Sequence, residues 1–165
     1  METYRFNFES SRELFEAASD AVRDAEACRR QLDALEEGAL SVGSPSLDAR
    51  VSGGDHDRIG RTVANLVDRE KELDARMEQD YALIDAATCV LYGRDQMSDG
   101  LACLMPPWVA DAIWQHFLAL HTWDYVSELM GYCKSQVIRT VRAAFEVMDA
   151  HGMAATVEGR GIAED

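Results

Sequence analysis

The chain has 165 residues, 47% of them hydrophobic, enough for about one compact domain or a small domain carrying an extension. Its apolar positions are scattered and never build the run of about 20 that a bilayer crossing needs, so composition excludes a disordered chain and a membrane-spanning helix. Sixteen basic against 30 acidic residues give a net charge of −14, which argues against wholesale attraction to phosphate or to an anionic membrane and confines any nucleic-acid contact to a local patch.

Met1 is followed by Glu2 and a mixed polar stretch, not by a cationic segment and an apolar run, so no secretory leader is read and a cytoplasmic location is expected. Tyr4, Phe6 and Phe8 alternate with polar residues and predict a short extended arm tucked onto helices. From Glu9 to Glu37, the residues Leu14, Ala18, Ala21, Ala25, Cys28, Leu32 and Leu35 recur in steps of four and three, the period of a helix that lays one narrow seam on another. Ser10 or Ser11 suits the N-cap.

Gly38 to Asp57, rich in glycine and serine, sustains no period and reads as a long loop. Asp55, His56 and Asp57 within it are read as caps and solvated charge. A helical pattern resumes from Asp57 to Tyr92 on Ile59, Val63, Leu66, Leu73, Met77, Ile84, Ala87 and Leu91, with Glu70 and Asp80 at two seam positions. The expected fold is all-α: a long antiparallel helical hairpin with coiled-coil packing over residues 1–97, then a small helical domain over 98–151 and a flexible acidic tail over 152–165. Gly93 to Gly100 reads as the hinge between the first two parts.

Pro106 and Pro107 suit the first turn of a helix predicted to run to Leu120, with Trp108, Ala112, Ile113, Phe117 and Leu118 on its buried face. Trp108, Trp114 and Trp123 all fall on apolar helical faces and are read as core. The four cysteines, Cys28, Cys89, Cys103 and Cys133, form no CxxC pair and are read as reduced core thiols. No histidine lies at ligand spacing from a cysteine or carboxylate, so no metal site and no cofactor are expected. GGDHDRIG lacks the spacing and lysine of a phosphate loop, and no catalytic set stands out, so an enzyme is not expected.

Residues 122–148 read TWDYVSELMGYCKSQVIRTVRAAFEVM. Thr122 is a suitable N-cap, and Trp123, Val126, Leu129 and Met130 follow at helical spacing. Gly131 stands where a turn needs a left-handed residue. A new helix then opens near Cys133 or Lys134 with Val137, Val141, Ala144 and Met148 on one face. Such a pattern is a helix-turn-helix, whose second helix enters the major groove, so Lys134, Ser135, Gln136 and Arg139 are the candidate DNA contacts.

The segment TWDYVSELMGYCKSQVIRTV resembles the region 4 helix-turn-helix of bacterial sigma factors, and residues 10–150 as a whole resemble the small sigma-like regulators of phages and prophages. The resemblance implies DNA contact by Lys134, Gln136 and Arg139, with Ser135 and Arg142 nearby. Two positions depart from that pattern: Cys133 stands where a capping Ser or Thr is usual, and Ile138 where a basic residue is common. Residues 104–150 carry three basic against five acidic side chains, below the positive balance of a dedicated DNA binder. A surface pair of Arg142 with Glu146 at i+4 is expected.

These readings make the chain a transcription regulator that binds double-stranded DNA, with the acidic hairpin forming a homodimer or contacting RNA polymerase. The alternative is a helical interaction protein without DNA binding, or a packaging component resembling phage small terminase subunits, which usually place the helix-turn-helix first.

Overall fold

The computed structural model describes residues 3–42, 56–94 and 99–162. Among the described residues the chain is mostly helical, with one small two-stranded sheet. Strand β1 (Thr3–Phe6) precedes α1 (Ser11–Val42), α2 (His56–Tyr92), α3 (Leu101–Leu104) and α4 (Pro107–Ile113). A π-helical turn (Trp114–Leu118) leads to α5 (Trp123–Met130), α6 (Lys134–Ala150) and strand β2 (Val157–Arg160). No helix among the described residues is long and apolar enough to cross a membrane. Most of the expected loop and hinge, residues 43–55 and 95–98, lies outside the described residues, but α1 continues through Gly38 to Val42 where loop was expected.

The chain divides into two compact units, one made of Met1–Arg23 with Glu78–Asp165, the other of Asp24–Met77. The expected boundary near residue 97 falls inside the first of these units. The seam residues Leu14 and Ala18 of α1 and Ala87 and Leu91 of α2, with Phe15, Ala86 and Val90 beside them, belong to the same buried cluster as Ile113, Val126, Val137 and Val141. Hydrophobic burial therefore binds the opening of α1 and the end of α2 to the C-terminal helices.

In the first unit α1 starts where Ser10 Oγ accepts the Glu13 N–H at 3.2 Å, satisfying one orphan donor of the helix start, and the Glu13 carboxylate accepts the Glu9 N–H just before the cap at 2.9 Å. The Ser11 N–H donates to Asp149 Oδ1 of α6 at 2.6 Å. Phe15, wholly buried, meets Phe117 and Phe145 with ring centroids 5.9 and 6.0 Å apart. Burying such a ring contributes about 2–3 kcal/mol.

Pro107 opens α4 as expected, but the predicted continuous helix to Leu120 is interrupted. After Ile113 the backbone widens into the π turn, where the Ala119 N–H reaches the Trp114 carbonyl at 3.0 Å, and Leu120 then adopts φ 59°. The wider turn shifts the register, leaving Trp114 36% exposed, whereas Trp108 and Trp123 are half-buried. The reading of all three tryptophans as core is corrected to that extent.

Within the expected flexible tail, Val157–Arg160 form a strand. β2 pairs antiparallel with β1, Thr3 opposite Arg160 and Phe6 opposite Val157. Gly159 lies against the Ala82 carbonyl of α2, so close that a Cβ there would fall 1.7 Å from the oxygen. The Arg160 N–H donates to Asp85 Oδ2 at 2.9 Å, and Arg5 pairs with Glu158 at 2.6 Å. Val157 and Ala154 are buried, which supplies the apolar contact that holds this segment down.

In the second unit Ala25, Cys28 and Leu73 are buried, whereas Val63 is 53% exposed and Leu66 and Val67 are also exposed. Arg76 is ion-paired with Asp24, and Arg69 donates to Gln31 at 3.2 Å. These cross-contacts run in opposite chain directions. All four cysteines are free thiols, but only Cys28 is buried; Cys89 is half-buried, and Cys103 and Cys133 are exposed, which corrects their reading as core.

Candidate functional site

The segment with the strongest chemical pattern folds around one turn. Thr122 Oγ1 accepts the Tyr125 N–H at 3.3 Å and caps α5. At the other end Gly131 takes φ 74° and ψ 22°, the Tyr132 N–H reaches the Ser127 carbonyl at 3.2 Å, and the Gly131 N–H reaches that of Glu128 at 3.3 Å. This pair of bonds is the Schellman arrangement, which satisfies the last carbonyls of a helix and turns the chain sharply. A Cβ on Gly131 would meet nothing within 4 Å, so glycine is required there by backbone conformation alone.

Helix α6 opens at Cys133, which has an extended N-cap backbone and makes no side-chain cap bond. The departure noted in the sequence holds in structure: the thiol lies 3.5 Å from Ser135 Oγ. The Ser135 hydroxyl, then the Gln136 N–H, hold the exposed Cys133 thiol below the ordinary thiol range. Val126 of α5 and Val137, Val141, Ala144 and Met148 of α6 are buried, so the expected apolar face of α6 is the one turned inward.

The remaining surface of α6 carries the candidate residues. Ser135, Arg139 and Arg142 are exposed and spaced i, i+4, i+7, which aligns them in one stripe; Gln136 is half-buried beside it. Lys134 stands apart, its Nζ donating to Asp124 Oδ2 of α5 at 2.9 Å. Nothing in the sequence signals this pair, because ten residues and a turn separate its members. Neither Arg139 nor Arg142 has an ion pair or side-chain hydrogen bond among the described residues, so the expected pair of Arg142 with Glu146 is not formed.

The same end of α5 exposes Tyr125 and Leu129, and the exposed Tyr132 ring lies 4.6 Å from that of Trp108. These aromatics were not singled out by sequence, since helical spacing alone does not tell an outward tyrosine from an inward one. Among the described residues no three His, Cys, Asp or Glu side chains gather closely enough to hold a metal ion.

No known protein family, curated protein or solved structure matches this chain.

A helix face that carries one hydroxyl, one amide and two guanidinium groups without an ion pair among the described residues is suited to a polyanion with hydrogen-bonding edges. Asp124 and Glu128 on α5 temper its charge.

Proposed function

We propose that the chain is a sequence-specific DNA-binding transcription regulator of the sigma-like kind found in phages and prophages. In this reading α5, the Gly131 turn and α6 act as a helix-turn-helix. The opening of α6 enters the major groove, where Gln136 and Arg139 read base edges and Lys134, Ser135 and Arg142 contact bases or phosphates. The observation that carries the reading is the exposed stripe of Ser135, Arg139 and Arg142 on a helix whose opposite face is anchored by Val137 and Val141, directly after a Schellman turn.

The opposed contacts of Arg76 with Asp24 and Arg69 with Gln31 support reading α1 and α2 as an antiparallel hairpin. Its exposed Val63, Leu66 and Val67 suit dimerisation or a polymerase contact, and a dimer would restore through two half-sites the affinity that a single recognition helix lacks. The cytoplasm is the compartment this function implies.

The test is binding of the full chain to fragments of its own operon and upstream region at two salt concentrations. Affinity is expected to fall with salt, and Arg139→Ala is expected to cost about 1–3 kcal/mol on a specific fragment if it reads a base, or to reduce the salt slope by about one if it holds a phosphate. An absence of binding to every fragment at low salt overturns the proposal in favour of an interaction protein.

A further inference from the structure

Beside α6 lies a cavity of about 210 Å³, of whose lining the DNA-binding reading uses Arg142 alone. Its apolar walls are Phe117 from the π turn, Trp123 from α5, and Phe145 and Val141 from α6. The aromatic rings stand at steep angles to one another: Phe117 is 6.3 Å from Trp123 at 81° and 5.8 Å from Phe145 at 73°. At these separations the rings touch edge to face and form one continuous aromatic wall, against which a flat guest ring can pack.

The rim is cationic. Arg12 and Glu16 both line it, but they neutralise each other through an ion pair at 2.7 Å. His116 stacks on Trp123 at 3.7 Å and 22°, and its Nδ1 is engaged by the His121 carbonyl at 2.7 Å. Burial lowers its pKa, so it adds no charge at neutral pH. Arg142 is left as the surplus cation, with no ion pair or hydrogen bond among the described residues. The π turn that brings His116 and Phe117 here is a rare local geometry, of a type frequent at functional sites.

We infer that this cavity binds a small planar aromatic carboxylate, with its ring among Phe117, Trp123 and Phe145 and its carboxylate on Arg142. The volume is of the order of one ring with its carboxyl group. A guanidinium holds a carboxylate through two parallel N–H donors, which a neutral amide of the same shape cannot match. Occupancy also withdraws Arg142 from the exposed stripe it shares with Arg139.

The experiment is a titration of the isotope-labelled full chain with benzoate and, separately, with benzamide, followed by NMR. Saturable shifts centred on Ile138, Val141 and His116 are expected with benzoate. The exposed substitution Arg142→Gln is expected to weaken benzoate roughly tenfold while the rest of the spectrum overlays the parent. Benzamide is expected to bind the parent weakly and to be indifferent to that change. Absence of saturable shifts up to ~10 mM benzoate, equal binding of benzoate and benzamide, or indifference of benzoate to Arg142→Gln overturns the inference. No DNA enters the measurement, so its outcome is separate from that of the regulator reading.

Discussion

The Lys134 ammonium is held by the Asp124 carboxylate, 2.9 Å away across the Gly131 turn. If α6 reads DNA, its first cation is already engaged by a charge of the wrong sign for a phosphate neighbour. Both side chains are largely exposed, so the pair adds little to stability. Asp124→Asn is therefore expected to leave the helical content unchanged and to tighten DNA binding about threefold at low salt, with the gain fading as salt rises. Unchanged or weaker binding, measured on the same fragment, would remove Lys134 from the interface.

The sheet makes a prediction independent of function. Gly159→Ala puts a methyl group into the Ala82 carbonyl of α2, and backbone on both sides leaves no flexible side chain to yield. Strand β2 must lift, at an expected loss of about 1–3 kcal/mol in denaturant unfolding. A variant as stable as the parent would show that the strand does not press on α2.

Much of this was legible in the sequence, and the reasons are local. Helices α1 and α2 follow from long runs of three-and-four spacing, and Ser10, Thr122 and Gly131 mark helix ends through chemistry that needs no tertiary context. The misread parts depend on distant contacts. The segment after residue 152 reads as loose because its glycines and charges lack a pattern of their own; it becomes a strand only through β1, which lies at the opposite end of the sequence. The π turn is equally silent, since Trp114 to Leu118 has ordinary helical composition and its widening shows only in backbone bonding. For the site, spacing identified the inward face of α6, while the pairing of Lys134 with Asp124 and the cavity beside Arg142 arise from neighbours that spacing does not reveal.

Tyr92 gives the alkaline limb of stability. Its hydroxyl donates to Asp111 Oδ1 at 2.6 Å, and burial, then that carboxylate, push its pKa well above the ordinary tyrosine value of 10.0. The folded chain thus prefers the protonated phenol. The associated stability is complete below the unfolded value and is lost as pH rises from about 10 toward the folded one. Denaturant melts of Tyr92→Phe are expected to show a modest loss at pH 8, about 1 kcal/mol, and a shallower decline above pH 10 than the parent shows. Parallel declines would mean that Tyr92 is not a source of the alkaline loss.

Cys133 is expected to be the thiol that iodoacetamide labels before Cys89, whose pKa burial and Asp85 raise, and before the buried Cys28. Because the Ser135 hydroxyl is the main support of the thiolate, Ser135→Ala should raise the pH midpoint of Cys133 alkylation and slow the reaction near neutrality. Peptide mass mapping reads both effects; an unaltered midpoint in the variant would assign the activation to the helix backbone instead.

The pairing of Thr3 with Arg160 has a consequence for how the molecule is made. The unit it closes is built from the two outer stretches of the chain, whereas Asp24–Met77 is one uninterrupted piece. During synthesis the inner piece is complete long before its host, which must keep Leu14 and Phe15 waiting until α6 and the last strand emerge. Contacts so distant in sequence form slowly, because a long loop must close before any of them is rewarded. Assembly order is therefore written into the topology, with the insertion maturing first and its host last.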